Sequence, residues 1–394
     1  MENYSTKLLG IEDAEIEKIE ENEKEVRLRF RLRREKQFCP ACGAETEKVH
    51  DYRIRRLRDT ELHGKKLTLE YQRRRYACSC GRRFPETNSF VSRYQRFTQR
   101  ITEKVVEGLH FRHSMKDISR LNGVSLSAVK RTLKCLTVAP LKKLPDTVAF
   151  DEFKGNTGKE KFQCIVTDPK AHKILDILPA RTMETVQEYL NKFENREEVK
   201  FAVMDMNRGF FGIAKTFLPN ATIVIDRFHV VRYCTEAMES VRKAMQKNLS
   251  KEQRKYFKRS RFLLLKHRKD LKQEDRDAVD VMLRFSDRLL QAYALKEAFY
   301  DFMASPDRVT ASQKLDLWFD ACDRLKLDEF NACRSMLRSW RPYILNAFDA
   351  HISNGFTEGC NNATKVLKRV AFGFRSFDNF RKRILLAADP YPYI

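Results

Sequence analysis

The chain has 394 residues, 42% of them hydrophobic, with 77 Lys or Arg against 54 Asp or Glu and a formal net charge of +23. That length and apolar content exclude a disordered chain and allow two or three domains, and no apolar run approaches the roughly 20 residues of a membrane helix. A basic excess of this size points to a polyanionic partner, most simply nucleic acid. The first 26 residues hold no signal-peptide core, so the expected location is the cytoplasm, on the bacterial nucleoid. In a reducing compartment the ten cysteines read as metal ligands or buried thiols rather than disulfides.

Residues 1–37 read as a short leader followed by one half-exposed strand over 26–32, where apolar and basic residues alternate. Next come Cys39-Pro-Ala-Cys42-Gly43 and, later, Cys78-Ser-Cys80-Gly81. Cys-x-x-Cys-Gly is a zinc-knuckle turn, in which two thiolates face one tetrahedral ion and glycine relieves the backbone. The one-residue gap of the second pair is shorter than usual. The expectation is one structural Zn²⁺ on Cys39, Cys42, Cys78 and Cys80, with His50 or His63 as a substitute ligand and four unligated thiols as the plain alternative. From 31 to 83 there are sixteen basic and seven acidic residues. Arg53, Arg55, Arg56 and Arg58 form one cluster and Arg73, Arg74 and Arg75 another; each suits phosphate contact or a solvated face.

From Thr98 the pattern becomes helical, with Ile101, Val105 and Leu109 at four-residue spacing. Residues 115–133 carry a helix-turn-helix pattern. Ile118 and Leu121 hold the first helix, Gly123 makes the turn, Val124 plugs the corner, Ser125 caps the second helix, and Val129 and Leu133 anchor it. Ser127, Lys130, Arg131 and Lys134 would then face DNA, although helical hairpins without that role share the pattern. Residues 135–146, with Pro140 and Pro145, read as a linker.

Three strands follow, over 147–150 into Asp151, 161–167 and 173–178, joined by turns at 156–158 and 169–172. A helix capped by Thr182 comes next, then a strand over 199–204 ending in Asp205, a helix over 211–218, and a strand over 221–225 ending in Asp226. Strands apolar on both faces suit a covered sheet, and the order is that of a ribonuclease H-like sheet. Carboxylates at strand C-termini sit where such sheets place ligands, though a single strand-end Asp is often only a cap. Beyond His229 the chain is helical, with no glycine between Gly212 and Gly355. Val279, Met282, Leu283, Leu290 and Tyr293 make an amphipathic stripe, and the basic stretch 254–269 is interleaved with aromatics, as suits DNA backbone contact. A polar stretch, 353–362, holds Glu358 as a third acid and precedes a helix over 363–370.

These motifs together, CPACG, RRRYACSCGRRF, AFDEF, VMDM, IDRFHVV and SNGFTEGCNN, resemble the DDE transposases of the bacterial insertion-sequence ISL-three family over nearly the whole chain. The resemblance implies that Asp151, Asp205 and Glu358 hold two Mg²⁺ or Mn²⁺ ions, with Asp226 and His229 as supporting residues that orient a carboxylate or touch phosphate. It implies a polynucleotidyl transferase that binds terminal inverted repeats, cuts DNA at the element ends and joins them to target DNA, as a homodimer or larger assembly. The expected organisation is multidomain α/β: a zinc-ribbon domain over 1–95, helix-turn-helix and linker over 96–146, ribonuclease H-like core over 147–230, an all-helical insertion over 231–352 and the core's C-terminal helices over 353–394. Two other classes remain. A zinc-ribbon and helix-turn-helix regulator would bind DNA without Mg²⁺-dependent cleavage, and a ribonuclease H-like nuclease or resolvase would cut without strand transfer.

Overall fold

The computed structural model describes residues 10–388 apart from residues 12, 156, 158, 159, 248, 260 and 372. The chain forms two compact units, Met1–Thr137 and Val138–Ile394. The turn expected at 156–158 lies largely outside the described residues.

In the first unit, strands β1 (Ala14–Glu21), β2 (Glu25–Leu32), β5 (Val49–Leu62) and β6 (Lys65–Ala77) form a sheet in the order β1-β2-β6-β5. Two short strands, β3 (Gln37–Phe38) and β4 (Glu45–Thr46), pair beside the first cysteine turn, and β7 (Arg83–Pro85) pairs with β6. Alternation on β2 sends Val26, Leu28 and Phe30 inward against Leu67, Leu69, Tyr71 and Phe90. The leader expected before β2 is itself a strand. Its glutamates hide the alternation, and Arg31 on β2 pairs with Glu15 opposite it.

Three helices follow: α1 (Gln99–His110), α2 (Met115–Leu121) and α3 (Leu126–Cys135). Ile101, Val105 and Leu109 are buried, as their spacing requires. Ser125 caps α3 by accepting from the Ala128 N–H at 3.2 Å, and Val129 and Leu133 are fully buried. Leu121 departs from expectation: α2 ends there and its side chain is 67% exposed, so Ile118 alone anchors that helix end. Gly123 turns at φ +57°, and a Cβ there would lie 2.2 Å from the Arg58 guanidinium, which donates to the Gly123 carbonyl at 2.6 Å.

The second unit is built on β8 (Thr147–Phe153), β9 (Gln163–Asp168), β10 (Lys173–Leu178), β11 (Phe201–Met204) and β12 (Thr222–Ile225). The sheet order is β10-β9-β8-β11-β12, antiparallel on the β10 side and parallel from β8 to β12. Helices α4 (Met183–Leu190) and α5 (Arg208–Phe217) supply the connections. Beyond β12 run α6 (Arg227–Gln246), α7 (Lys251–Arg259), α8 (Arg261–Leu265), α9 (Gln273–Leu283), α10 (Asp287–Met303), α11 (Arg308–Leu325) and α12 (Asn331–Ala350). Their apolar faces join the sheet in one core that includes Leu289, Phe299, Phe302, Trp318, Leu337 and Phe348. Leu290 is 48% exposed, because the expected stripe breaks at the Ser286 cap between α9 and α10. With no glycine available, Lys326 (φ +46°) and His351 (φ +50°) take the left-handed positions that end α11 and α12.

The last two helices are α13 (Gly355–Val370) and α14 (Phe377–Ala388). The helix expected from 363 starts eight residues earlier, at the Asn354 cap, and the two glycines do not break it. Glu358 therefore lies in the first helical turn, where a negative charge meets the positive end of the helix dipole.

Arg74 and Glu86 form a buried ion pair at 3.1 Å, with side chains 5% and 3% exposed. Glu86 also accepts from Tyr71 Oη at 2.8 Å. Removing Arg74 strands the Glu86 charge in the core, so Arg74→Ala is expected to cost about 3 kcal/mol. Deuterium exchange should then accelerate on the order of a hundredfold at the β6 amides. Arg53→Ala, at an exposed position, should change stability by less than about 0.5 kcal/mol. Mass-spectrometric exchange on both variants checks this; matching profiles would refute it.

Candidate active site and candidate metal centre

The parallel register assembles the acids. Val203 of β11 pairs with Ala149 of β8, and Met204 with Ile225 of β12. Two residues past Ala149, Val203 and Val224 stand Asp151, Asp205 and Asp226. Each aspartate thus continues the face that packs on Ala347 and Ile352 at the end of α12. The Asp226 N–H donates to the Met204 carbonyl at 2.9 Å, which extends the pairing to that point. Asp226 then caps α6, accepting from the Phe228 N–H, and its Oδ2 lies 3.0 Å from His229 Nδ1.

Asp151, Asp205 and Glu358 line one cleft of about 450 Å³, together with Glu152, Met206, Phe228, His229, Arg232, Tyr233, Glu236, Asn361 and Lys365. The sequence brought out Asp151, Asp205, Glu358 and His229 here, whereas Asp226 stands behind His229. It gave no role to Asn361, which donates from Nδ2 to Asp151 Oδ2 at 2.7 Å. The signal was its place three residues after Glu358, on a neighbouring helical position. Arg232 and Lys365 bring positive charge to the walls, and Arg232 pairs with Glu236 at 2.7 Å.

Burial pushes the Asp151 carboxyl up to about 6, and Asp205 and Asp226 add to the rise against the pull of the Glu152 amide and His229. Burial likewise raises Asp205, whose Oδ1 is buried without a hydrogen-bond partner. His229 is raised by its bond to Asp226, so it holds its proton to higher pH than a free imidazole. Five carboxylates line one cleft, two of them costly to ionise and one with an orphaned oxygen, a lining that fits hard cations.

The cysteines form a second centre. Cys39 Sγ lies 3.7 Å from Cys80 Sγ, and Cys42 Sγ 3.5 Å from Cys78 Sγ. Among the described residues they are the one set of three or more Cys, His, Asp or Glu whose ligand atoms all fall within 4.8 Å of one another. The triad carboxylates share a cleft without that closeness. Gly43 (φ +74°) and Gly81 (φ +83°) close the two turns, donating to the Cys39 and Cys78 carbonyls. Backbone donors lower Cys39 and hold Cys78 down to about 6, while Cys42, despite the Ala44 amide, is pushed up to about 12 by Cys78, Cys80 and Cys39. Four sulfurs gathered this closely by two tight turns fit a tetrahedral Zn²⁺. His50 and His63 lie outside it.

The arginine clusters are largely occupied. Arg74 is buried against Glu86, which corrects its reading as a phosphate contact, and half-buried Arg58 donates to the Gly123 carbonyl. Arg73 donates to the Glu86 carbonyl, Arg75 to Asp51, Arg55 to the Gln95 carbonyl and Arg56 to Glu70. Arg53 is exposed, and on α3 Ser127, Lys130, Arg131 and Lys134 are all exposed on the side opposite Val129 and Leu133. In the 254–269 stretch, Arg254 folds onto the Lys247 and Leu249 carbonyls and Arg268 pairs with Asp280, while Lys255, Lys258, Arg259, Lys266 and Lys269 are exposed.

A raised folded pKa means that the folded state binds the Asp151 proton more tightly than the unfolded chain. Its contribution to stability is therefore present below the ordinary value of 3.8 and lost as pH rises through about 6. In metal-free buffer Asp151→Asn should raise the melting temperature by several degrees at pH 7.5 and leave it unchanged at pH 3.5, with Asn361 able to turn its amide to the new partner. Equal shifts at both pH values would refute this. At the other centre, purified protein should carry about one zinc per chain by metal analysis, lost when Cys39 and Cys42 are both changed to Ser.

No helix among the described residues is long and apolar enough to cross a membrane. Residues 148–384 match a family model described as transposase, of the DDE type and the ISL-three group. Residues 35–80, which hold all four clustered cysteines, match a model of the zinc-finger of transposases IS204, IS1001, IS1096 and IS1165. The transposase for insertion sequence element IS1001 of Bordetella parapertussis is 28% identical over 361 residues, covering 89% of this chain and 88% of that protein. The transposase for IS1557 of Mycobacterium tuberculosis is 27% identical over 181 residues, 40% of each chain. A Lactococcus lactis protein described as an ATP-dependent protease is 36% identical over 113 residues, only 28% of this chain. A family model that spans the sheet, the helices and all three acids leaves one assignment: the chain belongs to the ISL-three family of DDE transposases.

Proposed function

We propose that the protein binds the terminal inverted repeats of an insertion sequence, cleaves DNA at the element ends and joins the 3′ ends to target DNA. The observation that carries this reading is the cleft, where Asp151, Glu152, Asp205, Glu236 and Glu358 face Arg232, Lys365 and His229. So acidic a cleft repels a phosphodiester unless cations bind there, and the basic remainder of the chain draws DNA to it. Asp151, Asp205 and Glu358 would hold Mg²⁺ or Mn²⁺, with two ions supplying the charge that activates a hydroxyl and stabilises the leaving oxygen. The Glu152 amide and Asn361 fix the Asp151 carboxylate. His229, held by Asp226, and Lys365 would meet non-bridging phosphate oxygens. In cleavage a water oxygen bonds to phosphorus as the bond to the 3′ oxygen breaks; in joining, the freed 3′ hydroxyl takes the water's place.

The mixed sheet supports a ribonuclease H-like reading, and α2 with α3 that of a helix-turn-helix with Ser127, Lys130, Arg131 and Lys134 towards DNA. The helices between Asp226 and Glu358 form the insertion, and Lys255, Lys258 and Arg259 on α7 extend the DNA-facing surface. Synapsis of two element ends calls for a homodimer or larger assembly on DNA.

Asp151→Asn, Asp205→Asn and Glu358→Gln should each abolish cleavage and strand transfer while end binding persists, as read on labelled terminal-repeat DNA with Mg²⁺. Near-normal cleavage by any of the three removes that residue from the site. Changing Lys130 and Arg131 together to Ala should weaken repeat binding by roughly 10- to 100-fold and flatten its salt dependence. An unchanged binding isotherm would return α3 to a purely structural role.

A further inference from the structure

Glu358 and Asp151 come from elements far apart in the chain, and their relative placement depends on how α13 seats on β8 and β9. The buried face of α13 is Thr357, Asn361, Thr364 and Leu367. Thr357 Oγ1 meets Thr167 Oγ1 of β9 at 2.7 Å, and this tie holds the start of the helix. Leu367 packs against Phe153, Ile165 and Ile177 further along. Between these two anchors stands Asn361, 4% exposed, whose Nδ2 donates to Asp151 Oδ2. Asp151 Oδ1 is held separately by the Glu152 N–H at 2.7 Å, so each oxygen of the carboxylate has one fixed donor and keeps a lone pair for the cleft. Asn361 Oδ1 is buried with no partner, although its residue lines the cleft. Packing alone does not explain an amide there, since an apolar side chain would fill the space without an orphaned acceptor.

We propose that Asn361 is a positioning residue for the cation site: a neutral donor that fixes Asp151 relative to Glu358 without cancelling its charge. A lysine at 361 would hold the carboxylate but occupy the place of the cation, and a carboxylate there would repel it. A neutral amide orients the ligand and leaves its charge available. The inference rests on the reading of the cleft as a cation-dependent DNA-cleaving site.

The test uses the full-length protein and Mn²⁺ as probe, with free Mn²⁺ followed by electron paramagnetic resonance in the absence of DNA. Asn361→Ala should weaken Mn²⁺ binding by about 10-fold or more, with the metal-free protein still folded and its melting temperature a few degrees below the parent's. The Mn²⁺ concentration for half-maximal cleavage should rise by the same factor, and excess Mn²⁺ should restore most of the rate. Asn361→Lys should abolish Mn²⁺ binding while the metal-free protein stays folded. Unchanged Mn²⁺ affinity in Asn361→Ala, or a rate loss that excess Mn²⁺ does not recover, overturns the proposal. Asp151→Asn separates the two levels. If Asp151→Asn loses Mn²⁺ binding and Asn361→Ala keeps it, only the role of Asn361 falls. If Asp151→Asn binds Mn²⁺ as the parent does, the metal-site reading falls with it.

Discussion

The structure of the second unit depends on the parallel register of β8, β11 and β12. A one-residue slip in any of these strands would turn its aspartate to the opposite face of the sheet and bury it among apolar side chains. Both faces are apolar, with Val203, Val224 and Ala149 on one and Met204, Ile225 and Phe150 on the other, so the cost of driving a carboxylate into the second core is what opposes the slip. The burial that fixes the register also desolvates the acids beyond it. Asp151 and Asp205 thus combine precise placement with raised pKa values, a cost that a bound cation can offset.

The third acid arrives by a different route. Some 130 positions, most of those described being helical, separate Asp226 from Glu358, and their core is continuous with that of the sheet. Asn346 of α12 donates to the Ile223 carbonyl at 2.7 Å, and Arg227 reaches the Ala347 carbonyl at 3.2 Å while lying over the Phe348 ring. These contacts set α12 against the sheet edge, and α12 in turn delivers α13. A perturbation within the helical region can therefore reach Glu358 through packing alone.

In the first unit positive charge has two uses. The long β5–β6 hairpin carries many arginines, but most of them tie the unit together through Glu86, Glu70, Asp51 and backbone carbonyls. The exposed basic residues of α3 sit opposite its buried Val129 and Leu133. Net charge measures attraction to a polyanion, while burial and pairing decide which side chains can meet it.

The sequence by itself carried the residues of both candidate sites and the coarse architecture. The spacing of Cys39, Cys42, Cys78 and Cys80 marked the metal centre because two tight turns suffice to make half a tetrahedron each. The apolar runs ending in Asp205 and Asp226 marked the ends of β11 and β12 because an apolar run is a local property, whereas pairing with β9 carries β8 past Asp151 to Phe153. Tertiary structure decided what depends on partners. It made a strand of the acidic leader through β2, and it turned Arg74 and Arg58 inward where Glu86 and Gly123 accept from them. It began α13 at Asn354 because docking of Thr357 and Asn361 on β8 and β9 outweighs two glycines of poor helix propensity. It joined Asn361 to Asp151, a contact across 210 positions that no local pattern encodes.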